Sequence, residues 1–464
     1  MATRVARSMP LRPILNGLRG MASASVAYPI AERWEGRSVS PKQRAFAREM
    51  ATPFAARRRR SWQALTDLVR FAGSAVPYYR DLFAKIGFDP DKLARDPQFF
   101  QDIPHLTKET IRGEGHRLLR GDHAQFAQHR AKTGGSTGPS AHIYYDQEAA
   151  DWSSAVTRYA RASIGNTHAR SELHFASKFP DKFPLRDRVR EHLKCFAMNR
   201  YNIFFSTFDA QELETIWRQA NRIRPHLVHA HPSTIHQLAL HVEERYGRGH
   251  AFDIFESSGE LLSPRQRQKI SQVLQCRVID RYGLAEVGVV AYETTPGRML
   301  FFDPFGWPEI LVLDDHDLPA HAGAATGELV VTNLKNRMMP LIRYRTGDIA
   351  AMAETSEGFV VRELVGRVHD VLDLAGSKLP THYVQDVLDR VGGIQEFQIE
   401  RNGGSPVFRL VPEQGADCAG ILQRISDWWG DSVRVEFITP SDLKLQGWRS
   451  KFRHIVEPTG PGSP

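Results

Sequence analysis

The sequence predicts an α/β protein with three parts. These are a large part built on mostly parallel sheet, a β subdomain attached to it, and a small α+β module at the C-terminal end. Three observations predict this. Between about residues 142 and 340, helical stretches alternate with short apolar runs, the signature of βα units. Near residue 366 the pattern changes to a hairpin, a helix and a strand spread over about 100 residues, a common size for one domain. The chain has 464 residues, beyond the size that one core usually serves.

Taken in order, residues 1–31 hold no acidic residue but carry Arg4, Arg7, Arg12 and Arg19. Such a start is compatible with an organelle transit segment, an interfacial helix or a solvated arm. No compact apolar stretch with a small-residue cleavage site marks a secretory signal, so a cytoplasmic protein is expected. Residues 1–60 hold 13 Lys/Arg against Glu32, Glu35 and Glu49, a net +10, whereas the other 404 residues carry a net −2. The basic balance therefore belongs to an N-terminal arm, and no nucleic-acid partner is expected for the body of the protein. The arm is expected to touch acidic surfaces, including peripheral contact with a membrane, or to be merely solvated. The run Arg57–Arg60 reads as the solvated first turn of a helix that presents Trp62, Leu65, Leu68 and Val69 on one face.

Residues 75–112 read as short helices broken by Pro77, Pro90, Pro97 and Pro104. Helices are expected over 209–221 and 263–274, with Asp209 and Ser263 as N-caps. Strands are expected at 227–229, 252–255 and 277–279, then at 327–332 and 341–345 in the β subdomain. In the C-terminal module, strands 396–400 and 407–411 flank Asn402-Gly403-Gly404, followed by helix 419–429 and strand 433–438. No apolar run reaches the roughly 18 residues that span a bilayer. Cys195, Cys276 and Cys418 are odd in number and far apart, with no CxxC pair, as suits a reducing compartment.

Six dispersed stretches carry the functional reading. The first is Lys132-Thr133-Gly134-Gly135-Ser136-Thr137-Gly138-Pro139-Ser140. Its glycines let backbone N–H groups turn toward an anion, and its hydroxyls add donors. By itself it reads equally well as a plain turn, and it lacks the Gly-Lys-[Ser/Thr] of a Walker loop. The others are Glu256-Ser257-Ser258-Gly259-Glu260, Asp280-Arg281-Tyr282-Gly283-Leu284-Ala285-Glu286, Arg343-Tyr344-Arg345-Thr346-Gly347-Asp348, Gly366-Arg367-Val368-His369-Asp370, and Ser450-Lys451-Phe452-Arg453. His229-Ala230-His231 would set two imidazoles on one strand face. No third ligand lies near in sequence, which counts against a metal there.

In this order and spacing the stretches resemble the adenylate-forming superfamily of acyl-CoA synthetases. Within it the chain resembles the phenylacetate–coenzyme A ligase branch and its capsule-polysaccharide-biosynthesis relatives. Val76–Arg80, Ile103–Glu109 and Met339–Asp348 carry that finer resemblance, which runs from about 75 to 455.

The resemblance implies a large domain over 61–365 and a small mobile domain over 366–464. Thr133, Gly134, Gly135, Ser136, Thr137 and Gly138 would hold the phosphates of ATP. Ser258, Gly259 and Glu260 would border the adenine. Tyr282, between Arg281 and Gly283, would stack on it. Glu286 would ligate Mg²⁺, Asp348 would accept from the ribose hydroxyls, and Arg367 would reach the ribose or phosphate. Lys451 would neutralise charge as a carboxylate attacks the α-phosphate. The implied substrates are a small-molecule carboxylic acid, ATP and an acyl acceptor such as coenzyme A; the oligomeric state is left open, a homodimer being one option. The rival readings are acyl transfer onto a sugar or amine, and nucleotide binding without turnover.

Four departures stand out. The loop lacks the family's Gly-x-Pro-Lys ending. Ala285 replaces a Thr or Ser, removing a hydroxyl contact of about 1 kcal/mol. His369 takes the place of the acidic hinge residue. The cysteines do not match the zinc site found in some relatives.

Overall fold

The computed structural model describes residues 11–132, 141–177, 185–205, 210–259, 261–312 except 263, 321–365 and, with gaps, parts of 371–456. By internal contacts the chain divides into two compact units. The first holds residues 1–38, 160–257 and 262–279; the second holds 39–159, 258–261 and 280–464.

The first unit is built on parallel strands in the order Arg200–Phe205, Glu172–Ser177, Leu227–Ala230, Ile254–Ser257. Helices Leu185–Ala197, Ala210–Ile223, Pro232–Tyr246 and Pro264–Leu274 follow the strands in sequence, giving the βα alternation that the sequence predicts. Strands of a parallel sheet are buried on both faces, so their sequences run apolar rather than alternating. Leu227, Val228, Ile254 and Phe255 show this, each at most 3% exposed. Val228 and Phe255 join Ile216, Leu238, Val242 and Ile270 in one core. The N-terminal helix belongs to this unit: the Asn16 side chain donates to the Ile223 carbonyl at 2.9 Å. Gly20 lets it approach, because a Cβ there would stand 1.9 Å from the Ala169 carbonyl oxygen.

Strand Arg277–Leu284 begins in the first unit and ends in the second. In the second unit it opens an antiparallel series: Gly288–Thr295, Arg298–Phe301, Gly358–Val365, Tyr344–Thr355, Ala325–Asn333 and Gly306–Leu311. The strand expected at 341–345 is thus Tyr344–Thr355, longer and shifted. Farther along, Arg434–Phe437, Val407–Pro412, Ile394–Glu400 and Ile455–Val456 form a four-stranded sheet with helix Cys418–Trp429. Phe397, Ile399, Phe408, Leu410, Ile421 and Ile425 are the centre of its own core.

The prolines of 75–112 start helical segments rather than only ending them. Pro77, Pro90 and Pro97 each sit at a first helical position, where the missing N–H costs nothing. Gly87, in the left-handed region at φ 65°, closes helix Pro77–Ile86. Thr107 caps helix Lys108–Glu114 by accepting from the Thr110 N–H.

One expectation is corrected. Arg57, placed by the sequence in a solvated first turn, is 2% exposed. It pairs with the buried Asp303 at 2.7 Å and donates to the Glu357 carbonyl at 2.7 Å. Helical periodicity alone gives four consecutive arginines no single direction. Arg57 shares the inner face of helix Phe54–Ala75 with Ser61, Leu65 and Leu68. Residues 39–54 also contribute to the interior through Val39, Phe46 and Phe54.

Candidate active site

The three motifs of the finer resemblance pack into one another in the second unit. Tyr79, from Val76–Arg80, is 1% exposed, and its hydroxyl donates to the Pro340 carbonyl and accepts from the Ile342 N–H. Leu106, from Ile103–Glu109, exchanges backbone hydrogen bonds of 2.9 Å with Arg343 and Arg345. Arg343 sits at φ 52°, and its guanidinium donates to the carbonyls of Gln101 and Ile103 and to both carboxylate oxygens of Glu309. These motifs brace one end of strand Tyr344–Thr355.

That strand carries the candidate site. Asp348 is 8% exposed and accepts from the Tyr282 hydroxyl at 2.9 Å. Two neighbours fix its position. The Thr346 hydroxyl donates to the Leu329 carbonyl at 2.7 Å and accepts from the Asp348 N–H at 3.1 Å. Gly347, at φ 76°, donates its N–H to Glu328, which also holds Arg345. Tyr282 is placed from the other side by Gly283. A Cβ on Gly283 would lie 2.9 Å from the Gly288 carbonyl oxygen of the paired strand, so only glycine permits this register.

Glu286 sits in the turn that follows, 4% exposed. Its Oε1 accepts from the Tyr344 hydroxyl at 2.8 Å and faces the Lys108 ammonium at 3.7 Å. Among the described residues, Oε2 takes no such contact. The Tyr145 hydroxyl donates to the Ala285 carbonyl, and burial, then the charge of Glu286, pushes its pKa up. The structure therefore brings Tyr282, Asp348 and Glu286 together, linked through Tyr344. Sequence reasoning did not single out Tyr344, Lys108 and Tyr145 as site residues. The first two lay inside quoted motifs, whereas Tyr145 carried no signal.

The other candidates are placed less fully. Ser258 is half-buried and Gly259 exposed at φ 85°. Arg281 lies on the same strand as Tyr282. Thr133, Gly134, Gly135, Ser136, Thr137, Gly138, Glu260 and Arg367 lie outside the described residues. Lys451 is described at its backbone, in the short strand Lys451–Phe452 paired with Leu445–Gln446.

The first unit holds a second polar cluster. Arg161 donates to Glu256 through Nε and Nη2 and to Glu172 at 2.6 Å. His229 contacts Glu256 at 2.7 Å, and His174 contacts Glu172 at 3.1 Å. His174, His229 and Glu256 are register partners across three strands, so they share one face. Among the described residues no group of three or more His, Cys, Asp or Glu is arranged to hold a metal. Burial pushes the Glu172 carboxyl up, but Arg161 and His174 outweigh it and hold the group at about 2. Burial, with Arg161, pushes His174 down. Both folded values lie below the unfolded ones, so their stability is present at neutral pH and lost on acidification. Thermal melts should show a slope between about pH 4.5 and 2 that Glu172→Gln removes. It corresponds to on the order of 3 kcal/mol for a depression of this size.

Known proteins of similar sequence are coenzyme A ligases by name. The chain is 25% identical over 406 residues to the phenylacetate-coenzyme A ligase of Escherichia coli (strain K12), covering 81% of this chain and 89% of that one. It is 24% identical over 374 residues to the phenylacetate-coenzyme A ligase of Pseudomonas putida, covering 75% and 80%. The chain is similar in sequence to phenylacetate–coenzyme A ligases over most of its length. No family model matches it. A crystal structure of 2-hydroxyisobutyryl-CoA ligase in the postadenylation state, in complex with R3-HIB-AMP, aligns with this chain at a TM-score of 0.55 and 17% identity. The alignment covers 89% of this chain and 92% of that one. The likeness shows a shared fold, with its α/β sheets and smaller α+β part.

Tyr282 tests the polar edge of the candidate site. Tyr282→Phe keeps the ring and removes only the bond to Asp348. The expected result is a KM for ATP raised about 2- to 10-fold, the worth of one ordinary hydrogen bond, with kcat little changed. Steady-state kinetics at saturating acid would check it.

Proposed function

We propose that the protein is an ATP-dependent ligase. It activates a small carboxylic acid as its acyl-adenylate, releases pyrophosphate and passes the acyl group to coenzyme A. The observation that carries the reading is the Tyr282–Asp348 hydrogen bond, with Glu286 joined to the same strand through Tyr344. An aromatic face beside a buried carboxylate suits a nucleoside: the ring lies against the base and the carboxylate accepts from the ribose diol.

Glu286 fits Mg²⁺. It offers a hard oxygen, and its Oε2 takes no contact among the described residues. When bound, the cation would supply charge neutralisation to the phosphates. Lys108 and Tyr344 hold the Glu286 carboxylate in one orientation. The loop Thr133–Gly138 cradles the phosphates, Ser258 to Glu260 border the adenine, and Arg367 reaches the ribose or phosphate. Lys451 is delivered by the small domain 366–464 to the large domain 61–365. There its ammonium meets the negative charge that grows on the α-phosphate as the substrate carboxylate attacks.

Carboxylate-dependent ATP–pyrophosphate exchange, run with a panel of aromatic and aliphatic acids, tests the first half. Coenzyme A-dependent release of AMP tests the second. ATP binding by calorimetry with no exchange for any acid would overturn the proposal.

A further inference from the structure

Two adjoining helical faces of the first unit carry large apolar side chains outward. The first is a continuous helical run, Leu11–Ala22, a wide π turn over Ser23–Ala27, then Tyr28–Trp34. Its inner side is fixed. Arg19 donates to the Arg200 carbonyl at 3.1 Å, and the Ser23 hydroxyl donates to the Ala197 carbonyl at 2.7 Å. Its outer side shows Leu15, Leu18, Met21, Val26, Ile30 and Trp34, from 56% to 88% exposed. At 3.6 residues per turn, the interval from Met21 to Val26 would carry the last three round the axis, away from the first three. The i→i+5 turn unwinds the run at that interval and returns them to the same side.

The second face is helix Leu185–Ala197, which buries only Ala197. Leu185, Val189, Leu193 and Phe196 fall on one side of it and are 42–74% exposed. It meets the first run where Ser23 bonds Ala197 and where Arg19 stands over Phe196 at 5.8 Å. An amphipathic helix whose apolar stripe has no core beneath it marks an interaction surface.

Charge selects the occupant. Besides Arg19, which is turned inward, residues 1–37 carry five arginines against Glu32 and Glu35. Helix Leu185–Ala197 carries Arg186, Arg188, Arg190 and Lys194 against Asp187 and Glu191. A second copy of this face would set these cations against each other, whereas anionic headgroups would satisfy them while the apolar stripe enters the acyl boundary. Among the described residues no helix is long and apolar enough to cross a membrane, so such contact lies along a surface. We propose that this face docks the protein peripherally on an anionic lipid bilayer.

Co-sedimentation of the full chain with phosphatidylcholine vesicles, and with mixed phosphatidylcholine–phosphatidylglycerol vesicles, tests this. The expected result is binding to the mixed vesicles only, weakened by salt. The variant Leu18→Glu/Ile30→Glu/Trp34→Glu should lower partitioning by about tenfold or more while melting as wild type does. If that variant melts lower, Leu185→Glu/Leu193→Glu, on the helix that buries a single residue, gives the same reading. Wild type left in the supernatant with both vesicle types would overturn the proposal, as would equal binding to both. So would a dimer in analytical ultracentrifugation that the variant turns into monomers, because the stripe would then be covered by a second copy.

Discussion

Carboxylate-dependent ATP–pyrophosphate exchange falls by about 10²- to 10³-fold when Lys451 is replaced by alanine. This is the usual cost of removing one electrostatic partner of a developing anion. The effect is confined to one half of the proposed reaction. ATP binding holds within a few-fold, because the residues assigned to base and ribose, Tyr282 and Asp348, are untouched. Transfer from a supplied acyl-adenylate to coenzyme A also persists, since the thiol there attacks the acyl carbon, to which Lys451 is not assigned, and AMP departs as a stable phosphate anion. Folding is not the confounder. Four residues beyond Lys451, Ile455 is 4% exposed and pairs with Ile399 in the four-stranded sheet, so the segment is anchored independently of the lysine. Exchange at the wild-type rate in Lys451→Ala would remove the lysine from the mechanism. Loss of exchange together with loss of ATP binding would assign it to the nucleotide site instead.

Arg343→Ala destabilises the second unit by about 3–5 kcal/mol, the cost of breaking a buried ion pair from one side. The side chains of Arg343 and Glu309 are 9% and 19% exposed, and Nη2 stands 2.9 Å from the carboxylate. Burial already pushes the Glu309 carboxyl up, and Arg343 is what draws it back. Without the guanidinium, Glu309 is left as a buried charge and the carbonyls of Gln101 and Ile103 lose their donor. Urea unfolding followed by fluorescence should show a lower midpoint. The double variant Arg343→Ala/Glu309→Gln should recover part of the loss, because the uncompensated charge is then gone. Arg343→Lys keeps the charge but not the fork, and should lie between the two. A midpoint unchanged in Arg343→Ala would mean that the motif is not a brace.

The parallel strands were legible because burial on both sides writes a short apolar run into the chain, as at Leu227–Val228 and Ile254–Phe255. The candidate site was legible for a different reason. Tyr282 and Asp348 stand 66 positions apart, and no periodicity links them; only the resemblance of their motifs placed them in one constellation. Other features had no local signature. Arg57 reads like its three neighbours until Asp303, 246 positions away, gives it a partner. Arg161, Glu172 and Glu256 come from three separate segments, so their cluster exists only once the strands are in register. The start of strand Tyr344–Thr355 was misjudged because Met339–Ile342 is as apolar as a strand. That stretch instead packs beneath Tyr79, whose hydroxyl takes the hydrogen bonds a neighbouring strand would have offered.

The Arg343 brace also sets a timetable for biogenesis. The Gln101 and Ile103 carbonyls await a donor that is more than 200 residues downstream. At ordinary ribosomal speeds that donor emerges roughly 10 to 50 s later. Until then those two carbonyls lack their donor, and Tyr79 and Leu106 lack the Pro340–Arg345 stretch that supplies their hydrogen-bond partners. Contacts of such long sequence separation also make spontaneous refolding slow.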